Sequence, residues 1–376
     1  MNKKYSIEKL IFTVIYFFIL IQTDTKLFCQ NEEFNIRQIL PFNLKGADGK
    51  QYENKDLKGK QGVIIMFLSN HCKYSQIYEN YLNEWNSEWK KYGLRLFVFS
   101  PNHENSILPS ELAYTASGDS YKEMREKHEE KKFNFPYIYD GTEHLVTNSL
   151  NATITPTVYL FNETGLLIYT GRIGNHEKPN NKSESEFHTN IKNLISKKDV
   201  KFNRTHSFGK AIRLKGDLES AEKVKKRYAE ETVNLYYADE KKLNLLTTYN
   251  INRSTFFYVW SLDDNQNQTR ENLINISKNF KIFRKRGLKV ITICIGKEPE
   301  KERIKTLLQR SQLSSFNYYT YPGEIKNLIK LRSEVGKTIT PFGRLMRING
   351  KRGYSTSGVI DDKELRIQIL DSLNEK

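Results

Sequence analysis

Cys72 is the residue of this chain best placed to do chemistry, because it stands between a predicted buried strand and a predicted helix. Residues 62–68 form a continuous apolar run, which is typical of a strand covered on both faces. Residues 74–89 have the apolar spacing of a helix. The predicted buried face of this helix consists of Ile77, Tyr81 and Trp85. A thiol at the start of a helix lies beside unpaired backbone N–H groups and the positive end of the helix dipole, and both stabilise a thiolate. Cys72 is therefore the predicted nucleophile.

The elements that must position Cys72 alternate between strand and helix along the first half of the chain. Further strands are predicted at residues 94–99, 135–140, 154–161 and 166–169. Further helices are predicted at residues 121–132 and 143–150, after a long polar stretch at 101–120. The strand at 135–140 is short enough for a sheet edge, and a turn at 162–165 closes a hairpin. This order predicts an α/β fold with a mixed sheet.

The motifs around these elements resemble those of a known family. They are Asn70-His71-Cys72-Lys73-Tyr74, Phe135-Pro136-Tyr137-Ile138-Tyr139-Asp140, Ile154-Thr155-Pro156 and Tyr169-Thr170-Gly171-Arg172, followed by a tail at 207–213. Together they resemble the peroxiredoxin-like redoxins of the alkyl hydroperoxide reductase and thiol-specific antioxidant superfamily, which have a thioredoxin-like fold. The resemblance covers about residues 35–215.

The resemblance implies roles for the residues near Cys72. Pro156 corresponds to the cis-proline that faces the active cysteine, with Thr155 before it, and its backbone could pair with an extended thiol substrate. Ser69 stands where related proteins place a hydroxyl that hydrogen-bonds the thiolate or the peroxide. His71, when protonated, could lower the pKa of the thiol by its charge. Arg172 is either a cation for the thiolate or a solvated residue at the end of a strand.

The departures from the family pattern concern cysteine. Thioredoxin's second active-site cysteine corresponds to Ser75, and positions where the family often has further cysteines are Ser69, Ile154 and Lys210. Without a neighbouring thiol, Cys72 cannot close an internal disulfide, but it can form a sulfenic acid or a mixed disulfide. The expected substrate is thus a peroxide or a protein disulfide, and an external thiol donor resolves the oxidised form. No bound cofactor is expected, and the seven dispersed histidines predict no metal site.

The beginning of the chain predicts export. Lys3 and Lys4 precede an apolar stretch at 10–21, which is short for the about 20 residues that span a bilayer. Cleavage could follow Thr25 or Cys29. An uncleaved membrane anchor and a lipidated Cys29 are the alternatives, although a bulky phenylalanine precedes Cys29. The predicted location is exported, meaning periplasmic, extracytoplasmic or secreted.

The charge and the remaining cysteines exclude other classes. The formal net charge is +16, but its basic residues are scattered among acids, and export makes nucleic acid an unexpected partner. The densest basic cluster, residues 284–286, falls at the end of a predicted helix, where cations suit the dipole; binding of an anionic surface such as lipid headgroups or cell-wall polymer is the alternative. After cleavage only Cys72 and Cys294 remain, so no disulfide framework is predicted, and Cys294 should be a small core residue.

The second half of the chain repeats the first. Residues 67–72 align without gaps with 259–264, residues 93–97 with 287–291, and 154–156 with 339–341. Asp264 takes the place of Cys72, so the second copy should be redox-inactive. The predicted fold is two tandem thioredoxin-like domains, each a central mixed β-sheet flanked by helices. The predicted divisions are a signal peptide at 1–29, a redoxin domain at 30–175, a linker and tail at 176–215 and a second domain at 216–376.

Three functions are compatible with these patterns. The preferred one is an exported thiol oxidoreductase or one-cysteine peroxidase that uses Cys72. The second is a binding or scaffold protein that kept the fold and lost turnover, because neither copy contains a resolving cysteine. The third is a surface module that uses its basic charge on an anionic partner and whose binding weakens with salt.

Overall fold

The computed structural model describes residues 34–248, 253–325, 340–348 and 350–375. The predicted export segment at 1–29, including Cys29, lies outside these residues, as does Ile339 of the predicted repeat. Within the described ranges, no helix is both long enough and apolar enough to cross a membrane.

The described elements alternate as the sequence predicts. The strands are β1 (Asn43–Lys45), β2 (Gln51–Glu53), β3 (Gly62–Phe67), β4 (Leu94–Ser100), β5 (Tyr137–Tyr139), β6 (Ile154–Thr155), β7 (Thr157–Asn162), β8 (Leu167–Gly171), β9 (Asn203–Arg204), β10 (Lys210–Ala211), β11 (Tyr236–Tyr237), β12 (Thr255–Ser261), β13 (Lys289–Ile295), β14 (Phe316–Thr320), β15 (Phe342–Met346) and β16 (Arg352–Ser357). The α-helices are α1 (Lys73–Lys91), α2 (Tyr121–Lys131), α3 (Leu145–Ser149), α4 (Glu186–Ile195), α5 (Leu218–Ala229), α6 (Glu240–Thr248), α7 (Gln266–Phe283), α8 (Lys301–Arg310) and α9 (Asp362–Asn374).

Two compact units divide the chain. Among the described residues, the first unit contains 34–68, 77–100 and 132–212, and the second contains 69–76, 101–131 and those from 213 onward. The loop with Cys72 and the predicted polar stretch therefore group with the second half of the chain, and not with the residues that flank them in sequence. The predicted domain divisions at 30–175, 176–215 and 216–376 stay a prediction.

β3 lies inside a six-stranded sheet of the first unit, whose order is β5-β4-β3-β7-β8-β9. β3, β4 and β5 are parallel, whereas β7 is antiparallel to β3 and β8 is antiparallel to β7. All six residues of β3 are buried, as expected for a continuous apolar strand with neighbours on both faces. The predicted mixed sheet is confirmed, with β5 at its edge.

The buried face of α1 differs from the predicted one. It consists of Tyr78, Leu82, Trp85 and Trp89, each at most 3% exposed. Ile77 and Tyr81 are only half-buried, so the predicted face was wrong except at Trp85. The predicted face and the observed face each contain a tyrosine and an aliphatic residue, so spacing alone does not show which of them is buried. Tyr78 belongs to the buried face because its ring packs on Trp85 while its hydroxyl donates to the Gly174 carbonyl at 2.9 Å.

The strand predicted at 154–161 is divided at Pro156. β6 pairs antiparallel with β10 in a separate small sheet, whereas β7 joins the main sheet. The Thr155–Pro156 peptide bond is cis, as the family resemblance implies.

The second unit contains a sheet in which β14-β13-β12-β15-β16 repeat the order and the directions of β5-β4-β3-β7-β8. The registers also agree. Phe67 pairs with Thr157 in the first sheet and Val259 with Phe342 in the second, and both partners directly follow a cis-proline. This register matches the gap-free alignment of Phe67 with Val259 that the sequence repeat predicts.

Both faces of the second sheet are covered. On one face Trp260 of β12 packs with Leu273 of α7 and Leu365 of α9. On the other face Val259 packs with Leu243 of α6. Adjacent strand residues point to opposite faces, so β12 contributes to both cores.

The stretch predicted as polar and irregular at 101–120 is largely structured. It contains 3-10 helices at Glu104–Ser106 and Pro109–Tyr114. Leu112, Ala113 and Ala116 from this stretch pack against the apolar core of the second unit. These apolar residues are too few and too irregularly spaced to predict a helix or a strand, yet they are enough to anchor the segment.

His188 lies within an aromatic cluster of the first unit. It belongs to α4, which begins after the N-cap Ser185. Its ring centroid is 4.7 Å from that of Trp85 and 6.0 Å from that of Trp89. Burial, with a smaller effect from Lys182, lowers the pKa of His188 to about 3.

This pKa predicts a pH dependence of stability. The unfolded chain protonates His188 near pH 6.5, whereas the folded state takes up that proton only near pH 3, so stability is complete above 6.5 and is lost as pH falls between these values. We expect the free energy of unfolding of the wild type to fall by up to about 1.4 kcal/mol per pH unit more steeply than that of His188→Gln. Urea titrations of both proteins between pH 7 and pH 4 measure the two slopes, and parallel slopes would contradict a buried neutral imidazole.

Candidate functional site

Cys72 directly precedes the first residue of α1, as the sequence predicts. The chain leaves β3 with the Leu68 N–H donating to the Phe99 carbonyl at 3.0 Å. It then makes a tight turn in which the Cys72 N–H donates to the Ser69 carbonyl at 3.2 Å. The Gln76 N–H donates to the Cys72 carbonyl at 3.1 Å, which begins the helical ladder. The thiol is therefore attached at the N-terminus of a long helix.

The loop before Cys72 surrounds the buried carboxylate of Asp119. Oδ2 of Asp119 accepts from the Ser69 hydroxyl at 2.8 Å and lies 2.6 Å from His71 Nδ1. Oδ1 accepts from the backbone N–H of Asn70 at 2.6 Å. Asn102 adds a bond from its side-chain amide to Oδ2 at 2.8 Å. Asp119 thus holds three consecutive loop residues by side chain or backbone, directly before the cysteine.

The charge of Asp119 is stabilised by these donors. Burial raises the pKa of the carboxyl group, but the positive charge of His71 and the hydrogen bonds from His71, Ser69 and Asn70 outweigh burial, so the pKa of Asp119 is lowered. A carboxylate that accepts at 2.6 Å requires a proton on His71 Nδ1. The pair is fully buried, so neither group can exchange its partner for water in this state.

A second set of bonds fixes the segment that carries Asp119. The side chain of Asn70 donates to the Gly118 carbonyl at 2.9 Å, and the Gly118 N–H donates to Glu123 at 2.7 Å. Glu123 and Ser120 form a reciprocal capping box that begins α2. The carboxylate is thus anchored to a helix start.

Asn102 is held in turn by Arg213, whose backbone N–H donates to its side-chain oxygen at 2.7 Å. The Arg213 guanidinium forms an ion pair with Glu111 at 2.6 Å. Asn102 and Asp119 therefore both have defined orientations, and the loop they contact has little freedom to change shape without breaking buried bonds.

The thiol itself has no exposed surface, because Cys72 is 0% exposed. This burial arises from tertiary packing, which the local spacing of the sequence does not reveal. Cys72 and Cys294, the cysteines of the described residues, are not joined by a disulfide. A reagent reaches the sulfur of Cys72 only if the surrounding structure opens.

The predicted site residues near Cys72 in sequence are brought together. Ser75, one turn into α1, accepts from the Ser69 N–H at 3.3 Å through its hydroxyl oxygen. The hydroxyl proton of Ser69 goes to Asp119, so the predicted bond from Ser69 to a thiolate or peroxide requires that proton to change its acceptor. That role, like the effect of His71 on the thiol, stays a prediction.

The other predicted site residues belong to the first unit. Thr155 is fully buried at the end of β6, and Pro156 follows it. Arg172 forms an ion pair with Glu186, the first residue of α4, and this pair raises the pKa of Arg172. This contact supports the structural alternative for Arg172.

The backbone edge at Thr155 is occupied by the chain's own tail. The Ile212 N–H donates to the Thr153 carbonyl at 2.8 Å, and β10 places Lys210 opposite Thr155. Hydrogen-bonded pairs alternate along an antiparallel ladder, so Thr155 and Lys210 form the next hydrogen-bonded pair, which uses both backbone groups of Thr155. A substrate could pair there only if this tail moved away.

The position equivalent to Cys72 in the second sheet has a different chemistry. Asp264 accepts from the Ser261 N–H and from the Thr340 hydroxyl, each at 2.7 Å. Thr340 directly precedes a cis-proline. Cys294 is confirmed as a core residue of β13, and burial raises the pKa of its thiol. Among the described residues, no group of three His, Cys, Asp or Glu side chains is arranged to hold a metal ion.

Sequence reasoning missed Asp119 and Asn102 as residues of the site. Asp119 lies 50 residues beyond Ser69, within a stretch that looks polar and irregular. The available signal was weak: Ser120 and Glu123 mark a helix start, and Asp119 stands directly before it.

We expect the loss of Asp119 to destabilise the fold strongly. Asp119→Ala leaves the buried donors of Ser69, His71 and Asn102 without their acceptor, and it should lower the free energy of unfolding by about 3–5 kcal/mol. Asp199→Ala, at an exposed position of a connecting segment, should change it by less than about 0.5 kcal/mol. Guanidinium titrations compare the two, and equal effects would contradict the account of the loop.

Comparison with known proteins finds a family model that matches the part of the chain around this site. Residues 37–170 match the model of the AhpC/TSA family. No curated protein matches the chain. Similar solved structures include an uncharacterized conserved protein from Geobacillus kaustophilus, with 24% identity over 50% of this chain and 94% of that one and a TM-score of 0.41. A hypothetical protein from Sinorhizobium meliloti 1021 has 18% identity over 49% of this chain and 94% of that one, with a TM-score of 0.41.

A third similar structure is a putative thiol:disulfide interchange protein DsbE from Chlorobium tepidum, with 12% identity, coverage of 37% of this chain and 84% of that one, and a TM-score of 0.30. Residues 37–170, which match the family model, contain β3, the loop with Cys72, the segment with Asp119 and the Thr155–Pro156 bond. Residues 37–170, about a third of the chain, are therefore similar to the AhpC/TSA family.

Proposed function

We propose that the chain is an exported, thiol-dependent peroxide reductase that uses Cys72 as its single nucleophile. One observation carries the proposal: Cys72 directly precedes α1 within the segment that matches the AhpC/TSA family. The loop held by Asp119 gives the cysteine a defined place beside the amide-rich start of the helix. These features support a thiolate as the reacting species.

The proposed reaction has three balanced steps. The Cys72 thiolate attacks one oxygen of a peroxide ROOH, the O–O bond breaks, and the alkoxide takes a proton and leaves as ROH, so that the sulfur becomes a sulfenic acid. A donor thiol R′SH attacks this sulfur and releases water, which leaves a mixed disulfide. A second R′SH attacks the donor sulfur of the mixed disulfide, which restores Cys72 and releases R′SSR′. Two electrons pass from two thiols to one peroxide.

A small peroxide suits this chain better than a protein disulfide. Cys72 has no exposed surface, and a peroxide of a few atoms needs a smaller opening than a protein substrate does. The edge at Thr155, where an extended substrate would pair, is used by β10. Both observations favour the smaller oxidant.

An external thiol is proposed as the reductant because the positions where related proteins often have additional cysteines contain other residues here. Ser75, Ile154 and Lys210 contain no sulfur. Cys294 is buried in the core of the second unit. No bound cofactor and no nucleic acid are proposed as partners. Export is proposed from the basic and apolar N-terminal sequence.

A single substitution tests this function. Cys72→Ser should abolish hydrogen peroxide consumption supported by dithiothreitol, whereas Cys294→Ser should retain at least about half of the wild-type rate, since a buried core thiol takes no part. The measurement is the decay of peroxide with time, with both variants first compared by thermal unfolding. Equal rates in all three proteins would contradict the proposal.

A non-catalytic binding or scaffold protein is the second candidate. The complete burial of Cys72 favours it, because a thiol that stays sealed cannot turn over. The same assay separates the two functions: a scaffold gives no peroxide consumption above buffer for the wild type, and Cys72→Ser then retains whatever binding the wild type has.

A further inference from the structure

A basic cleft lies at the end of the first sheet where β3 and β4 begin. Its volume is about 630 Å³, and it is lined by Lys58, Lys60, Lys90, Lys91 and Arg95 together with Gly59, Gly93 and Leu94. All five cationic side chains are exposed. None of the described acidic residues lines the cleft. We call these five residues the basic cleft.

The cations of the basic cleft have no carboxylate partner among the residues that the structure describes. Across the described ranges of the chain, none of the five forms an ion pair within 4.0 Å, and Lys90 donates only to the neutral carbonyl of Asn134 at 2.8 Å. The nearby acids are engaged elsewhere. Glu53 pairs with Lys55 at 2.6 Å, and Asp56 accepts from the Glu53 N–H at 2.9 Å.

Helix stability does not explain the cluster. Lys90 and Lys91 fall in the last turn of α1, where the dipole favours cations. Lys58, Lys60 and Arg95 lie outside that helix, so the dipole does not account for them. Burial and the charge of Arg95 lower the pKa of Lys90, which means that Arg95 and Lys90 repel each other in the folded protein. A cluster that opposes folding in this way suits an anionic ligand.

The densest basic run of the sequence behaves differently. Arg284 forms an ion pair with Glu231 at 2.6 Å. Arg286 donates to the Ala113 carbonyl at 2.7 Å and lies over the ring of Tyr114. Arg284 and Arg286 therefore serve contacts within the second unit.

The amino terminus of the described chain lies at the same end of the first sheet as the basic cleft. Phe34 accepts from the Leu167 N–H at 2.9 Å, and Ile36 donates to the Gly165 carbonyl at 2.8 Å, so this segment follows the turn between β7 and β8. That turn begins at Asn162, which pairs with Gly62, the first residue of β3. The apolar sequence at 10–21 is therefore connected to the end of the sheet that carries the cleft. The thirteen residues 22–34, which follow this apolar sequence, can extend over at most about 45 Å.

We propose that the basic cleft binds the phosphate headgroups of anionic phospholipids and holds this end of the first unit at a membrane surface. Exposed lysines on flexible stems suit a layer of mobile phosphates, and each cation near an anionic surface adds to binding. An apolar or lipidated N-terminus would bring the cleft within reach of that surface. The charge becomes mixed beyond Lys60, where Glu163 and Asp199 join the lining of a neighbouring cleft, so the proposed contact is local.

Vesicle binding by the full chain tests the proposal. The probes are vesicles of phosphatidylcholine alone and of phosphatidylcholine with phosphatidylglycerol in equal parts, titrated to half-binding at low salt. The triple variant Lys58→Gln, Lys60→Gln and Arg95→Gln should need about 100-fold more of the anionic lipid. Its binding to neutral vesicles, which reports the apolar N-terminus, should not change.

The matched control removes the same charge at Lys122, Lys223 and Lys226, which are exposed and paired with glutamates. This second triple variant, again to glutamine, should shift half-binding by less than about threefold. Equal shifts for both variants would overturn the proposal, because they would mean that net charge alone acts. Competition by millimolar glycerol phosphate would also overturn it in favour of a soluble phosphate ligand.

A footprint provides a site-specific readout. Acetylation of the wild-type chain followed by mass spectrometry should show protection of Lys58, Lys60, Lys90 and Lys91 by anionic vesicles and none at Lys122, Lys223 and Lys226. Uniform protection or none would count against the basic cleft as the contact surface.

Discussion

The buried carboxylate of Asp119 is the constraint on which the geometry of the candidate site depends. A carboxylate without exposure is stable only when donors replace its water, and here the donors are the side chain of Ser69, the backbone of Asn70 and the ring of His71. These are the residues that connect β3 to Cys72. The carboxylate therefore converts a connecting loop into a rigid one. It also gives the insertion between β4 and β5 a reason to be ordered, since Asp119 belongs to that insertion.

The sheets of the two units share one architecture but differ in the residue at the equivalent helix start. In each, a central strand pairs with a residue that follows a cis-proline, and the chain then continues into a helix. In one copy a thiol stands at the helix start. In the other, Asp264 stands at the equivalent place and bonds to Ser261 and Thr340. A carboxylate held by such bonds serves structure, which fits the prediction that the second copy is redox-inactive.

The prediction of the fold succeeded where local pattern decides. The apolar run of β3, the hairpin of β7 and β8 and the repeat that aligns Phe67 with Val259 follow from spacing alone. The buried face of α1 does not follow from spacing, because the helix faces that contain Tyr78 and Tyr81 have similar apolar character. Asp119 was missed because its partners lie far away in sequence. The burial of Cys72 was missed for the same reason, since exposure at the end of a strand is decided by whatever folds over it.

The chain thus combines a cysteine at a helix start, a loop held by an ion pair and an end of the first sheet whose cations form no ion pair with the described residues. β3 connects these features along the chain. The basic cleft lies where the strand begins, and the loop with Cys72 follows where it ends. The most direct test of the central claim is to treat the full chain with hydrogen peroxide in the presence of dimedone and to map the adducts by mass spectrometry. The account predicts that dimedone labels Cys72 before any other cysteine. Labelling of Cys294 with Cys72 unmodified, or an unmodified Cys72 under conditions that oxidise free cysteine, would contradict it.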